Sequence, residues 1–150
     1  MPQHVFTYGS LMFAPVWQRV VTGSYRGESA ELAGFRRFAI VDETYPGIVE
    51  AGAEVDAEAG MVAGVLYFDV NDTDLQALDA FEGSDYQRRT VQVTTSAGTL
   101  VTAQTYVFLS PQRLARHDWD PAAFALARFM ATYCHDRLGD AAHPAPDEPV

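Results

Sequence analysis

Lysine is missing from this chain: all ten cationic side chains among its 150 residues are arginine. That excludes an imine-forming or nucleophilic lysine and the phosphate-gripping lysine of a P-loop. Cysteine is nearly missing too. Cys134 stands alone, so no disulfide closes within the chain, which suits a reducing compartment and makes a cytoplasmic location the expectation. Long hydrophobic runs are also wanting. Nothing approaches 18 consecutive apolar residues, so no membrane-crossing helix is predicted. The opening MPQHVFTYGS has neither the basic start nor the apolar stretch of a secretory leader. Positive charge is scarce: the net charge is −10. Nucleic acids and anionic membranes both call for basic patches, so neither is expected as a partner. His4, His117, His135 and His143 are scattered without ligand spacing, so no metal centre is expected.

What is present is ordinary for a globular domain: 48% apolar and 20% charged residues, enough to build one core. His4 to Tyr8 is a β-rich run that stops at Gly9. After Tyr8-Gly9-Ser10-Leu11, Pro15 fits the first turn of a short helix that Gly23 would end. Tyr25 to Val41 is strand-like, with breaks at Gly27 and Gly34. Its Arg36 and Arg37 read as covering a strand face or pairing with acids. Glu43 to Val49 reads as a turn into a strand, and residues 50–60 as an acidic surface loop. Met61 to Val70 is nearly continuous apolar β-former, a central strand. Tyr86–Thr95 and Thr99–Leu109 alternate as a hairpin across Ser96-Ala97-Gly98. Ser110 to Asp120 reads as a loop. Asp120-Pro121 opens a last helix with Phe124, Ala127, Met130, Cys134 and Leu138 on one stripe. The Pro-rich, acidic residues 141–150 read as a disordered tail behind a single domain of residues 1–140. Five or more strands and about three helices, without a βαβ rhythm, predict an α+β fold with an antiparallel or mixed sheet closed over one core.

The stretch with most chemical content is NDTDLQALDAFEGSDYQR, from Asn71 to Arg88. Asn71 is a natural N-cap, Asp72 and Asp74 suit the positive end of a helix dipole, and Gly83 ends the helix. Leu75, Leu78 and Phe81 form an apolar stripe. Glu82, four residues after Leu78, projects from that stripe. A carboxylate leaving water there would have its pKa raised towards the range useful for proton transfer. The alternative is a frayed, solvated helix end. Asp79 lies towards the flank of the stripe and reads as a bystander. The loop Tyr8-Gly9-Ser10-Leu11 offers either a plain glycine turn or backbone N–H groups converging on a small carboxylate. Ser10 is outside any G-x-S-x-G motif, and Cys134 on its apolar stripe reads as a buried thiol.

Taken together these residues resemble the γ-glutamylcyclotransferase-like family, particularly its AIG2-like branch. The likeness rests on Tyr8-Gly9-Ser10-Leu11, Tyr45-Pro46-Gly47-Ile48-Val49 and Val62-Ala63-Gly64-Val65-Leu66-Tyr67. It continues through Leu78-Asp79-Ala80-Phe81-Glu82-Gly83 with Tyr86 and Arg88, and ends with Ala103-Gln104-Thr105-Tyr106-Val107. The short spacer Gly83-Ser84-Asp85 is like that of the AIG2-like branch. The resemblance implies a small mixed β-barrel flanked by helices, with a pocket at one end. It implies that the Tyr8–Leu11 loop holds substrate, that Glu82 is the general acid/base, and that Tyr86 and Tyr106 line the pocket. The implied reaction closes a γ-glutamyl amide to 5-oxoproline and frees an amine, with no cofactor. Two other readings stay open: a non-catalytic module that binds a small carboxylate, and an acyl-transfer enzyme using Ser10 or Cys134.

Overall fold

The computed structural model describes residues 2–41, 43, 45–50, 60–115, 117 and 119–120. The expected acidic loop lies largely outside these residues, as does the last helix beyond Asp120, and Cys134 and the tail lie wholly outside them.

Among the described residues seven strands are formed: β1 (Gln3–Thr7), β2 (Gly27–Ala33), β3 (Phe35–Ala39), β4 (Pro46–Glu50), β5 (Met61–Val70), β6 (Tyr86–Thr95) and β7 (Leu100–Phe108). Two α-helices accompany them there, α1 (Ala14–Val20) and α2 (Asp72–Glu82), with short 3-10 turns at Ser10–Met12, Gly83–Asp85 and Pro111–Arg113. Five strands close into a barrel in the order β1-β5-β2-β6-β7. The closing pair, β1 with β7, is parallel and the other pairings are antiparallel, so the barrel is mixed. β3 and β4 form a separate two-stranded sheet. The central strand is β5, paired with β1 along one edge and β2 along the other. β2 and β6 close their side of the barrel through two pairs, Ala30 with Thr95 and Glu31 with Thr94.

Period-two alternation sorts the strand side chains into two layers. Phe6, Leu32, Leu66, Val93, Ala103 and Val107 belong to one core cluster. Their strand neighbours Val5, Tyr106 and Phe108 belong to the other, with Trp17 of α1 and Leu75, Leu78 and Phe81 of α2. Leu78 and Phe81 are fully buried, worth roughly 1.5–3 kcal/mol each. This second layer is what holds α2, and with it Glu82, against one end of the barrel.

The ends of α2 follow its sequence. The Asn71 side chain accepts from the Asp74 N–H at 2.8 Å, and Gly83 closes the helix at φ 76°, a conformation that costs other residues more. Asp74 does more than meet the dipole. It is buried and accepts from Thr22 N–H at 2.9 Å, Thr22 Oγ1 at 3.0 Å, Gly23 N–H at 2.9 Å and the Tyr25 hydroxyl at 2.6 Å. These bonds draw the α1–β2 connection onto α2. They also explain why α1 stops at Val20, short of Gly23: Thr22 and Gly23 direct their N–H groups to Asp74 instead of to the preceding helical turn.

Candidate functional site

At one end of the barrel the loop after β1, the start of β4, the end of α2, the start of β6 and the middle of β7 surround a cavity. It holds about 400 Å³ of empty space, its open mouth included. Tyr8, Gly9, Ser10, Leu11, Glu82, Tyr86 and Tyr106 all line it, and Phe6, Thr7, Tyr45 and Pro46 complete the wall.

The loop is held from both sides. The Arg37 guanidinium donates to the Tyr8 carbonyl at 2.7 Å and to the Ala63 carbonyl at 3.1 Å, tying the end of β1 to β5. Arg37 thus anchors backbone, a role the sequence reading of a covered face or an acid pair did not include. Gly9 is a packing necessity: a Cβ there would lie 2.8 Å from Cγ and Cδ of Pro46. Ser10 to Met12 form a single 3-10 turn, with Met12 N–H donating to Gly9 O at 3.0 Å and Phe13 N–H to Ser10 O at 3.1 Å. The N–H groups that open such a turn have no partner inside it. Ser10 and Leu11 are buried in the cavity wall.

The tyrosines fix the wall through their hydroxyls. Tyr8 donates to the Tyr106 carbonyl at 2.6 Å and Tyr86 to the Pro46 carbonyl at 2.7 Å. Each bond spans two elements and settles a polar atom that burial would otherwise leave unsatisfied. The Tyr106 hydroxyl donates to Asp79 Oδ1 at 2.7 Å. Burial raises the Tyr106 pKa well above the ordinary tyrosine value. The hydrogen bond to Asp79 and the negative charges of Asp79 and Glu82 raise it further, against a smaller opposing effect of Arg88. Tyr106 is therefore a neutral hydroxyl at physiological pH.

Asp79 requires a correction. It is not a bystander on the flank of α2: it accepts from Tyr106 and pairs with Arg88, Nε to Oδ1 at 3.0 Å. The physical reason is register. Arg88 and Tyr106 face each other across the β6–β7 pair, and both reach the same carboxylate one helical turn before Glu82. The spacing of Asp79 and Glu82, three apart on one helix, was a signal that the two share a face. The strand register was not available from the sequence.

Glu82 is half-buried, the last residue of α2, with its side chain in the cavity wall. Among the described residues no histidine lines the cavity, so Ser10 has no imidazole base beside it there. Among the described residues no group of three His, Cys, Asp or Glu gathers to hold a metal ion. No helix among them is long and apolar enough to cross a membrane. A single carboxylate at the end of a cavity of backbone and tyrosine surfaces can exchange a proton with a bound molecule. The Tyr8–Leu11 loop lines the same cavity.

Comparison with known proteins gives a consistent picture. Residues 5–121 match the family model described as gamma-glutamyl cyclotransferase, AIG2-like. AIG2-like protein D of Arabidopsis thaliana is 36% identical over 106 residues, which are 69% of this chain and 66% of that protein. The matches span between 51% and 68% of the length of the curated relatives. A solution structure from Arabidopsis thaliana superposes with a TM-score of 0.67 at 25% identity, covering 99% of this chain and 88% of the other. A solved gamma-glutamyl cyclotransferase has the same fold, with a TM-score of 0.59 at 22% identity over 75% of this chain and 74% of its own.

Proposed function

Since this chain belongs to the AIG2-like gamma-glutamyl cyclotransferase family, we propose that it converts a γ-glutamyl amide to 5-oxoproline and a free amine, with Glu82 as the general acid/base. The observation that carries this reading is convergence. Glu82 comes from the end of α2 and the Tyr8–Leu11 loop from the end of β1, and the two line one cavity.

The chemistry needs little from the protein. The substrate's own α-amine nitrogen attacks its γ-carbonyl carbon, forming the five-membered lactam C–N bond. The amide C–N bond to the leaving amine then breaks. Attack requires the α-amine to lose a proton, and departure requires the leaving nitrogen to gain one. One carboxylate within reach of both nitrogens takes the first proton and delivers the second. The α-carboxylate of the substrate would lie on the N–H groups of the loop. The closed wall would keep a flexible chain curled with amine and carbonyl in contact, which is the larger part of the task in an intramolecular reaction. Tyr106, kept neutral, and Tyr86, bonded to Pro46, shape the site without exchanging protons.

The test is release of 5-oxoproline from a panel of γ-glutamyl amino acids and γ-glutamyl amines. Turnover that depends on Glu82 supports the reading. A panel that stays intact with correctly folded protein contradicts it.

A further inference from the structure

Among the described residues the cavity wall holds no arginine, and its one charged side chain is that of Glu82. In a chain of net charge −10, an anion entering there needs positive charge from behind the wall. Arg37 stands at such a place, where β1 leaves the β5 ladder. The last pair of that ladder is Thr7 with Val65. Just beyond it Arg37 Nη1 donates to the Tyr8 carbonyl at 2.7 Å and to the Ala63 carbonyl at 3.1 Å. The guanidinium is backed in turn: its carbon lies 5.3 Å from the ring centre of the buried Trp119. Two backbone bonds lay the chain before Trp119 along β3, from Ala39 N–H to the His117 carbonyl at 3.1 Å and from Ala115 N–H to the Ala39 carbonyl at 2.8 Å.

Building on the cyclotransferase reading of the cavity, we infer that Arg37 is a positioning residue for substrate binding: it turns the Tyr8–Gly9 peptide so that the Gly9 N–H faces the substrate's α-carboxylate, and it strengthens that donor. The geometry of the peptide carries the first part. In a planar trans peptide the C=O and N–H point in opposite directions. β1 lies between β5 and β7 in the closed barrel. Arg37 draws the Tyr8 carbonyl to the β5 side, beside Ala63, so the Gly9 N–H is turned to the β7 side. That is the side of the cavity, where the Tyr8 hydroxyl meets the Tyr106 carbonyl at 2.6 Å. Electrostatics carries the second part. A cationic donor on a peptide carbonyl makes a charge-assisted bond and draws electron density from the amide. The N–H at its other end becomes the more positive, and polarisation along such a chain is stronger at low local dielectric. Arg37 is half-buried and stays protonated at any working pH. Its charge thus reaches an anion through one peptide without touching it. The second bond, to Ala63, ties the guanidinium to β5, and a flip of the Tyr8–Gly9 peptide would break the first.

Two inhibitors of equal size separate this role from a merely structural one: 5-oxoproline and 5-oxoprolinamide, which differ in the charge of the group that was the α-carboxylate. Against a γ-glutamyl substrate, the wild-type protein should bind the acid at least about tenfold more tightly than the amide, as a charge-assisted bond warrants. Arg37→Gln should bring that ratio near one. It should also raise KM by about tenfold while kcat stays within about threefold, since binding and not proton transfer is affected. Arg37→Lys keeps the charge but not the planar fork, so its ratio should fall between the two. A loop that is only loosened would weaken acid and amide alike and leave the ratio unchanged. Should Arg37→Gln fail to fold, Arg37→Lys carries the test: a reduced ratio supports the inference and a wild-type ratio overturns it. No preference in the wild type, or an unchanged ratio in Arg37→Gln, would overturn the inference while leaving the cyclotransferase reading intact. No release of 5-oxoproline from any γ-glutamyl substrate would overturn that reading and this inference with it.

Discussion

The Tyr106 hydroxyl on β7 donates a hydrogen bond to Asp79 Oδ1 on α2 at 2.7 Å, one helical turn before Glu82. The bond joins the barrel wall to the helix that carries the proposed acid/base. Arg88 completes the arrangement from β6.

Replacing Asp79 with Asn should separate function from stability. The Asp79 and Arg88 side chains are 39% and 34% exposed, and such pairs contribute about 0–1 kcal/mol. The melting temperature should therefore move little. Asp79 helps to keep the Tyr106 hydroxyl neutral through its hydrogen bond and its charge. Turnover should nevertheless fall by roughly tenfold, the order of 1.4 kcal/mol in transition-state positioning. Full activity in the variant would show that the bond has no role in the site.

Asp74 governs stability instead. Burial alone would raise its pKa, but hydrogen bonds from Tyr25, Thr22 and Gly23 outweigh burial and hold it below the ordinary value. A depressed folded-state pKa adds stability above the unfolded value of about 3.9. That stability is lost as pH falls through the folded-state pKa. Asp74→Ala also leaves buried donors without a partner, at about 1–3 kcal/mol, or a melting point lowered by roughly 3–10 °C. The gap between wild type and variant in denaturant titrations should be full at pH 7 and narrow below about pH 4. A gap independent of pH would mean that the carboxylate charge is not what matters.

These two aspartates mark where sequence reading stops. The helix from Asn71 to Gly83, the central strand β5 and the β6–β7 hairpin were legible because caps, apolar periodicity and turn residues are local signals. Partners of Asp74 lie 49 to 52 residues away and those of Asp79 nine and 27, across loops whose path the chain alone does not reveal. The same holds for Arg37, whose carbonyl partners sit on the end of β1 and on β5. The detachment of β3 and β4 into their own sheet was equally hidden, since their residues look like any other strand. The candidate residues were found mainly by resemblance; spacing alone left Glu82 and the Tyr8–Leu11 loop with bland alternatives.

Gly9→Ala tests the loop. An added Cβ would stand 2.8 Å from Pro46 Cγ and Cδ, and a proline ring yields little. Loop and β4 must move apart, at about 1–3 kcal/mol for overpacking. KM should rise more than kcat falls, because the loop is assigned to binding. Wild-type kinetics in this variant would mean that the loop tolerates displacement and does not hold the substrate.

Chelation should leave turnover unchanged, because the proposed proton transfer runs through a carboxylate alone. Treating the protein with EDTA and assaying 5-oxoproline release checks this. Activity lost to EDTA and restored by Zn²⁺ or Mn²⁺ would require a different mechanism.

The most direct measurement is 5-oxoproline release by Glu82→Gln on a substrate the wild type turns over. Glutamine keeps the shape and hydrogen-bonding capacity of glutamate but cannot take up and return a proton near neutral pH. Turnover should fall by at least roughly 10²-fold, the usual share of a positioned acid/base. The melting temperature should hold or rise, since a partly desolvated charge is gone. Substrate affinity should change far less, because the loop donors remain. A Glu82→Gln protein with wild-type turnover would contradict the account.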